Sequence, residues 1–201
     1  MSSMARSELI LGGQKSGKSR RAELLACDWL ARSADHRAVL IATAQAWDAE
    51  MRQRIARHQS DRAQRVPGML TVEEPTQLAQ VVAQHSRADT LFVVDCLTLW
   101  LTNWLMPAHE SNPSRLENCD QNEPLAPVCQ APTALLLEAI QQAPGPLILV
   151  GNEIGLGVIP LGREVRAFVD ALGLLNQQVA GVCQRVTLMA AGLPLTLKGA
   201  A

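Results

Sequence analysis

The chain has no tyrosine, two phenylalanines and four tryptophans among its 201 residues. Proteins that grip single-stranded nucleic acid by base stacking need more aromatic platforms than this. An excess of positive charge is also missing. Eighteen Lys and Arg stand against nineteen Asp and Glu, a formal net charge of −1, whereas nucleic-acid-binding domains are usually basic. Cysteine is sparse and irregularly spaced. Cys27, Cys96, Cys119, Cys129 and Cys183 make an odd set with no C-x-x-C pair, which suits reduced thiols better than a disulfide framework or a zinc site. No apolar run approaches the roughly 20 residues that span a bilayer. The first apolar run comes within about ten residues of Met1, too early for a signal peptide. These absences lead us to expect a soluble, cytoplasmic protein with neither nucleic acid nor membrane among its partners.

One glycine-rich segment carries the strongest positive signal. Gly12-Gly13-Gln14-Lys15-Ser16-Gly17-Lys18-Ser19 is a complete G-x-x-x-x-G-K-S phosphate-binding loop. It follows the apolar run Leu9–Leu11 and precedes the helix-like stretch Arg20–Ala31, the strand–loop–helix setting in which such a loop works. Its glycines allow consecutive backbone N–H groups to turn towards phosphate oxygens, and the dipole of the following helix adds favourable charge. Lys18 is expected at the β- and γ-phosphates of a nucleoside triphosphate and the Ser19 hydroxyl on Mg²⁺.

Further apolar runs alternate with helix-like stretches. Ala38–Ala42, Leu91–Val94, Leu147–Val150 and Val186–Met189 read as strands, and Met69–Glu73 and Leu193–Leu197 as edge strands. Asp48–Arg65, Pro75–Ser86, Pro132–Ala143 and Gly162–Cys183 have helical composition and spacing. Continuous apolar strands separated by helices predict an α/β fold, a mostly parallel sheet covered on both faces. Ligands then gather at the carboxyl ends of the strands, where the phosphate loop lies. The proline- and asparagine-rich segment at about 107–131 reads as an irregular surface insertion. A hydrophobic content of 48% is ample for one core, so we expect a single domain over 1–201.

Two other strand ends carry acids. Asp95 closes an apolar run and fits either a Mg²⁺-binding carboxylate or the N-cap of the next helix. Glu153, after Leu147–Val150 and before Gly155 and Gly157, fits an active-site acid that orients a water, Mg²⁺ or acceptor hydroxyl, or simple turn chemistry. His58 shares a helix face with Arg54 and Arg62; unassigned, it reads as a solvated histidine. Trp100 and Trp104, four apart on an apolar stretch, read as packing residues.

In chain order, several segments together resemble the bifunctional adenosylcobinamide kinase/adenosylcobinamide-phosphate guanylyltransferase family of cobalamin biosynthesis. They are the phosphate loop with Arg20-Arg21-Ala22-Glu23, Ile41-Ala42-Thr43-Ala44-Gln45, Asp48–Met51, Arg54-Ile55-Ala56-Arg57-His58 with Arg62, Asp95–Asn103, Asn152–Gly157 with Pro160, Leu175-Asn176-Gln177 and Ala191–Leu195. Lys15, Gly151 and Leu174 depart from the family pattern, which has Arg, Ser or Thr, and Arg at those places. Lys15 keeps the charge and loses the bidentate guanidinium fork.

The resemblance implies a P-loop domain with a RecA-like sheet and two reactions. ATP or GTP would phosphorylate adenosylcobinamide. GMP would then pass from GTP through a covalent bond to His58 and on to adenosylcobinamide phosphate, giving adenosylcobinamide-GDP. The resemblance also implies that Ala42, Thr43, Ala44, Gln59, Ser60, Asp61, Arg62 and Glu73 lie at the nucleotide, with Arg54 close by. Mg²⁺ would sit on Ser19 and Asp95, and the protein would be a homo-oligomer, a trimer with substrate clefts between subunits. A plain P-loop small-molecule kinase with no covalent intermediate, and a nucleotide-dependent switch, are the alternatives.

Overall fold

The computed structural model describes residues 4–46, 48–106 and 126–199. In chain order the elements are β1 (Ser7–Gly12), α1 (Lys18–Leu30), β2 (Arg37–Ala42), α2 (Ala49–Arg65), β3 (Leu70–Glu73), α3 (Leu78–His85), β4 (Thr90–Asp95) and α4 (Leu97–Leu105). They continue with α5 (Ala126–Gln142), β5 (Leu147–Val150), α6 (Arg163–Val182), β6 (Arg185–Ala190) and β7 (Leu193–Lys198). The strands form one seven-stranded sheet in the order β3-β2-β4-β5-β1-β6-β7. All neighbouring pairs are parallel except β6–β7, which is antiparallel.

Alternation along the central strands divides two cores. Leu9 and Leu11 pack on the face covered by α3 to α6, while Ile10 packs on the other face with Ala22 and Ala26 of α1. Period-two alternation sends neighbouring side chains to opposite faces, and both faces here are dry. Every residue of β1 and of β5 is buried, and each buried Leu or Ile contributes about 1.5–3 kcal/mol relative to exposure.

All seven strands fall where the apolar runs predict, with β3 and β7 at the two edges. The helix ends differ in places. α2 starts one residue after Asp48 because that carboxylate accepts from the Met51 N–H at 2.6 Å as its N-cap. α3 starts at Leu78 rather than Pro75, since Glu74 accepts from the N–H groups of Thr76 (2.8 Å) and Gln77 (2.7 Å) and holds them in a turn. α5 begins at Ala126 and takes in Pro132, so the irregular segment predicted to about residue 131 ends earlier; residues 107–125 lie outside the described residues.

The strand order has one further consequence for the site. β1 and β5 are neighbours, yet β1 leads through α1 towards β2, whereas β5 leads through α6 over β1 to β6. The two chains leave in opposite directions and on opposite faces. Such a switch point opens a crevice at the carboxyl ends of the strands, here between the phosphate loop and Asn152-Glu153.

Candidate active site

At the end of β1 the chain turns through Gly12, with φ of 152°, and Gly17, with φ of 100°. A Cβ on Gly12 would lie 2.5 Å from the Met189 carbonyl oxygen and 2.6 Å from Ser16 Oγ, so no larger residue fits the turn. Gly13, Gln14 and Lys15 form the exposed rim of the loop, and Lys15 is left-handed with φ of 55°. Ser16 is buried, and its Oγ has no partner among the described residues. The Ser16 carbonyl accepts from the Gly192 N–H at 3.1 Å, which ties the loop to the tip of the β6–β7 hairpin. Ala191 and Gly192 belong to the Ala191–Leu195 segment of the family resemblance; the grip of this turn on the phosphate loop was not visible in the sequence.

Lys18 opens α1 and is folded back, its Nζ donating to the Gly13 carbonyl at 2.6 Å. Burial lowers its pKa from the ordinary value, against the raising effects of Cys96 and Asp95. Ser19 Oγ donates to Asp95 Oδ2 at 3.1 Å. The end of β4 therefore meets the start of α1 across the intervening β5, and the N-cap of the helix after Asp95 is Cys96. Mg²⁺ fits this pair: both donors are oxygens, and this ion keeps several waters and shares phosphate oxygens rather than filling its shell with protein. No group of three or more His, Cys, Asp or Glu able to hold a metal occurs among the described residues.

Thr43, which the resemblance puts at the nucleotide, turns its hydroxyl inward. It is fully buried; its Oγ1 donates to the Cys96 carbonyl at 2.7 Å and accepts from the Cys96 N–H at 2.8 Å. Asn103 Nδ2 donates to the Thr43 carbonyl at 2.8 Å and to the Pro75 carbonyl at 3.0 Å. The hydroxyl is spent on the backbone that follows Asp95, and Asn103 completes the brace. Asn103, the last residue of the Asp95–Asn103 segment, carries no assigned role in the sequence because an Asn on an apolar helix gives no hint of a backbone partner sixty residues away. Ala42 and Ala44 flank Thr43, and the Ala42 carbonyl accepts from the Glu74 N–H at 2.9 Å. Trp100 is buried as predicted, and its indole N–H donates to the Thr76 carbonyl at 2.8 Å.

The other group of predicted residues gathers on α2 and at the end of β3. Gln59 Nε2 donates to Glu73 Oε1 at 3.3 Å. Asp61 pairs with Arg65 at 3.5 Å, and Arg65 pairs with Glu23 of α1 at 3.2 Å. Arg62 is half-buried, and its Nη1 has no partner among the described residues. His58 and Ser60 are exposed. The side chain of Arg54 lies outside the described residues.

Glu153 stands on the crevice opposite the loop. Its N–H donates to the Gly12 carbonyl at 3.1 Å, extending the β1–β5 ladder by one rung, and its Oε1 accepts from the Gly155 N–H at 2.8 Å. Turn chemistry and proximity to the phosphate loop are thus combined in one residue. Asn176 of α6 donates from Nδ2 to the Asn152 carbonyl at 3.0 Å and holds the same strand end from the other face.

A family model described as cobinamide kinase/cobinamide phosphate guanyltransferase matches residues 8–197. The chain belongs to that family. It is 47% identical over 193 residues to the bifunctional adenosylcobalamin biosynthesis protein CobP of Pseudomonas aeruginosa, covering 96% of this chain and 97% of that one. It is 30% identical over 191 residues to the corresponding CobU proteins of Escherichia coli and Salmonella typhimurium, covering 94% of this chain and 98% of each. Membership makes the chain a bifunctional enzyme of cobalamin biosynthesis, a cobinamide kinase and cobinamide phosphate guanylyltransferase. The α/β fold with its mostly parallel sheet is the P-loop fold expected of this family. Among the described residues no helix is long and apolar enough to cross a membrane.

Proposed function

We propose that both reactions use the one phosphate loop and that the second runs through a covalent bond to His58. In the kinase step, Lys18 and the backbone of Gly12–Lys18 hold the triphosphate of ATP or GTP, with the buried, unpartnered Ser16 hydroxyl beneath the loop. Ser19 and Asp95 would hold Mg²⁺, whose chemistry there would be charge neutralisation of the triphosphate. The aminopropanol hydroxyl of adenosylcobinamide attacks the γ-phosphorus, the bond to the bridging oxygen breaks, and Glu153 orients the hydroxyl. Catalysis here is mainly positioning and charge neutralisation.

In the transfer step a neutral His58 ring nitrogen attacks the α-phosphorus of GTP. A P–N bond forms, the Pα–O bond breaks and pyrophosphate leaves. A phosphate oxygen of adenosylcobinamide phosphate then attacks the same phosphorus, the P–N bond breaks, and adenosylcobinamide-GDP forms with the imidazole restored. Arg62, with an unpartnered Nη1 one turn from His58, supplies charge to the α-phosphate or the departing pyrophosphate. Gln59 and Glu73, paired with each other at 3.3 Å, are the residues we assign to the ribose or guanine.

The observation that carries this reading is how α2 is held. No described residue of α2 is buried, and the polar pairs that tie it to β3 and α1, Gln59–Glu73 and Arg65–Glu23, lie at partly exposed positions. Such pairs are worth about 0–1 kcal/mol each, so the helix can carry His58 towards and away from the phosphate loop at little cost. The proposed assembly is a homotrimer acting in the cytoplasm with clefts between subunits. Exposed apolar side chains at Leu156, Val158 and Leu161 support it, since patches of this kind mark interfaces.

Incubation with GTP labelled at the α-phosphate tests the covalent step. Acid-labile, alkali-stable label is expected on the wild-type chain and absent from His58→Ala, which still phosphorylates adenosylcobinamide. Equal labelling of the mutant would remove His58 from the reaction, and phosphorylation without any protein label would leave a plain kinase.

A further inference from the structure

The hydrogen bonds between β1 and β5 continue past the end of β5. The Gly151 N–H donates to the Ile10 carbonyl at 3.0 Å and the Glu153 N–H to the Gly12 carbonyl at 3.1 Å. The chain therefore stays extended through residue 153, and side chains go on alternating between the two faces. Gly151 faces α6, since a Cβ added there would meet Leu11 Cδ2 at 3.1 Å and Asn176 Oδ1 at 3.3 Å. Asn152 faces the other way, towards α1, in line with Ile148 and Val150 of the core on that side.

Register fixes what lies beside it. Val150 is paired with Ile10 of β1 on one side and with Asp95 of β4 on the other, so the Ser19–Asp95 bond crosses β5 at this level. Asn152 is two residues further along, about 6.6 Å. It stands just beyond that bond, where the outer end of a triphosphate held by Lys18 would lie. Among the described residues, every hydrogen bond of Asn152 runs through its backbone. Its N–H donates to Thr98 Oγ1 of α4 at 2.9 Å, and its carbonyl accepts from Asn176 Nδ2 of α6 at 3.0 Å. The half-buried side-chain amide has no protein partner among them. Three elements thus fix the main chain of a residue whose side chain has no task inside the fold. A rigidly placed, uncommitted N–H is the kind of donor that stabilises charge developing in a transition state.

We propose that Asn152 is a further catalytic residue of the kinase step, its Nδ2 donating to an equatorial oxygen of the γ-phosphate. In that step the acceptor oxygen bonds to the γ-phosphorus. The bond to the β,γ-bridging oxygen breaks, its electron pair stays with the nucleoside diphosphate, and the hydroxyl proton goes to water. Charge is spread over the equatorial oxygens on the way, and the amide meets it without moving. The inference rests on the kinase reading given above.

Asn152→Ala removes the amide and keeps both backbone bonds, so the fold should be unaffected. Phosphorylation of adenosylcobinamide, protein labelling from GTP labelled at the α-phosphate, and the thermal midpoint are measured for wild type and variant. The kcat of phosphorylation should fall about 10²-fold. KM for the triphosphate and the midpoint should stay near wild type, because the lost contact belongs to the transition state. Labelling should persist, since the γ-phosphate then departs whole within pyrophosphate. An unchanged kcat would overturn the assignment. Equal loss of phosphorylation and labelling would make Asn152 a general triphosphate ligand, and a midpoint several degrees lower would make it a packing residue; either also overturns it. Asn152→Asp, of nearly the same size, sets a carboxylate against the γ-phosphate and should raise KM for the triphosphate while lowering kcat. Wild-type KM in that variant would place the side chain away from the phosphates and sink the proposal. A wild-type chain that does not phosphorylate adenosylcobinamide would instead defeat the activity on which the inference rests.

Discussion

Replacing Thr43 by Val separates a brace from a ligand contact. The substitution keeps the branched shape and removes only the hydroxyl, at a residue with no exposed surface. Two hydrogen bonds disappear, to the carbonyl and to the N–H of Cys96. The Cys96 carbonyl keeps a second donor, the Trp100 N–H at 3.1 Å, whereas its N–H is left buried without an acceptor. A lost hydrogen bond costs about 0.5–1.5 kcal/mol and an orphaned buried group about 1–3 kcal/mol. The expected loss is therefore about 2–4 kcal/mol. For a chain of this length a loss of 1 kcal/mol lowers Tm by about 2–4 °C, so the drop should be on the order of 5–15 °C. Urea unfolding followed by circular dichroism checks the free energy, and a thermal scan checks the midpoint. A midpoint within about 1 °C of wild type, combined with a large rise in KM for GTP, would show that Thr43 meets the nucleotide and that its bonds to Cys96 carry no stability.

Asp95→Asn keeps the size of the side chain and removes the charge facing Ser19 and Lys18. We expect a steep rise in the Mg²⁺ concentration needed for half-maximal kinase rate and a fall in kcat of about 10²–10³-fold; an unchanged Mg²⁺ dependence would return Asp95 to a structural role. The buried thiols predict sensitivity to alkali. Burial pushes Cys96 up to about 11 and Cys183 up to about 12, from an ordinary 9.0. The unfolded chain releases these protons first, so the stability they confer is complete below pH 9 and is lost as pH rises from there through the folded values. The slope is about 1.4 kcal/mol per pH unit for each thiol. Urea midpoints at pH 8.5 and pH 10.5 measure it, and a Cys183→Ala chain with an undiminished slope would refute the assignment for that thiol.

Much of the architecture could be read from runs of residues. Leu147–Val150 is continuous and apolar because both of its faces are covered, and such a segment has few other homes. The phosphate loop declared itself because its glycines answer a local backbone demand, as the Gly12 contacts show. What stayed hidden depends on contacts between distant parts of the chain. Nothing near Thr43 indicates that its hydroxyl is spent on Cys96, and nothing near Gly192 indicates Ser16. The start of α3 was missed for a more local reason: Glu74 satisfies the backbone ahead of the helix, and a helical periodicity cannot see that competition. The position of β5 between the strands of the phosphate loop and Asp95 was likewise invisible, since apolar runs carry no record of their neighbours.

Synthesis order gives β1 an awkward place. It precedes the other six described strands in the chain, yet its two hydrogen-bonding neighbours are Leu147–Val150 and Arg185–Ala190. A nascent chain must keep an apolar, unpaired ribbon until Leu147–Val150 has been made, which makes this strand slow to settle and a hazard for misassociation while it waits. The pocket floor inherits the same delay. Gly12 and Glu153 are linked by one backbone bond but lie far apart in the chain, so a fragment that stops before Glu153 lacks that tie to the first residue of the phosphate loop.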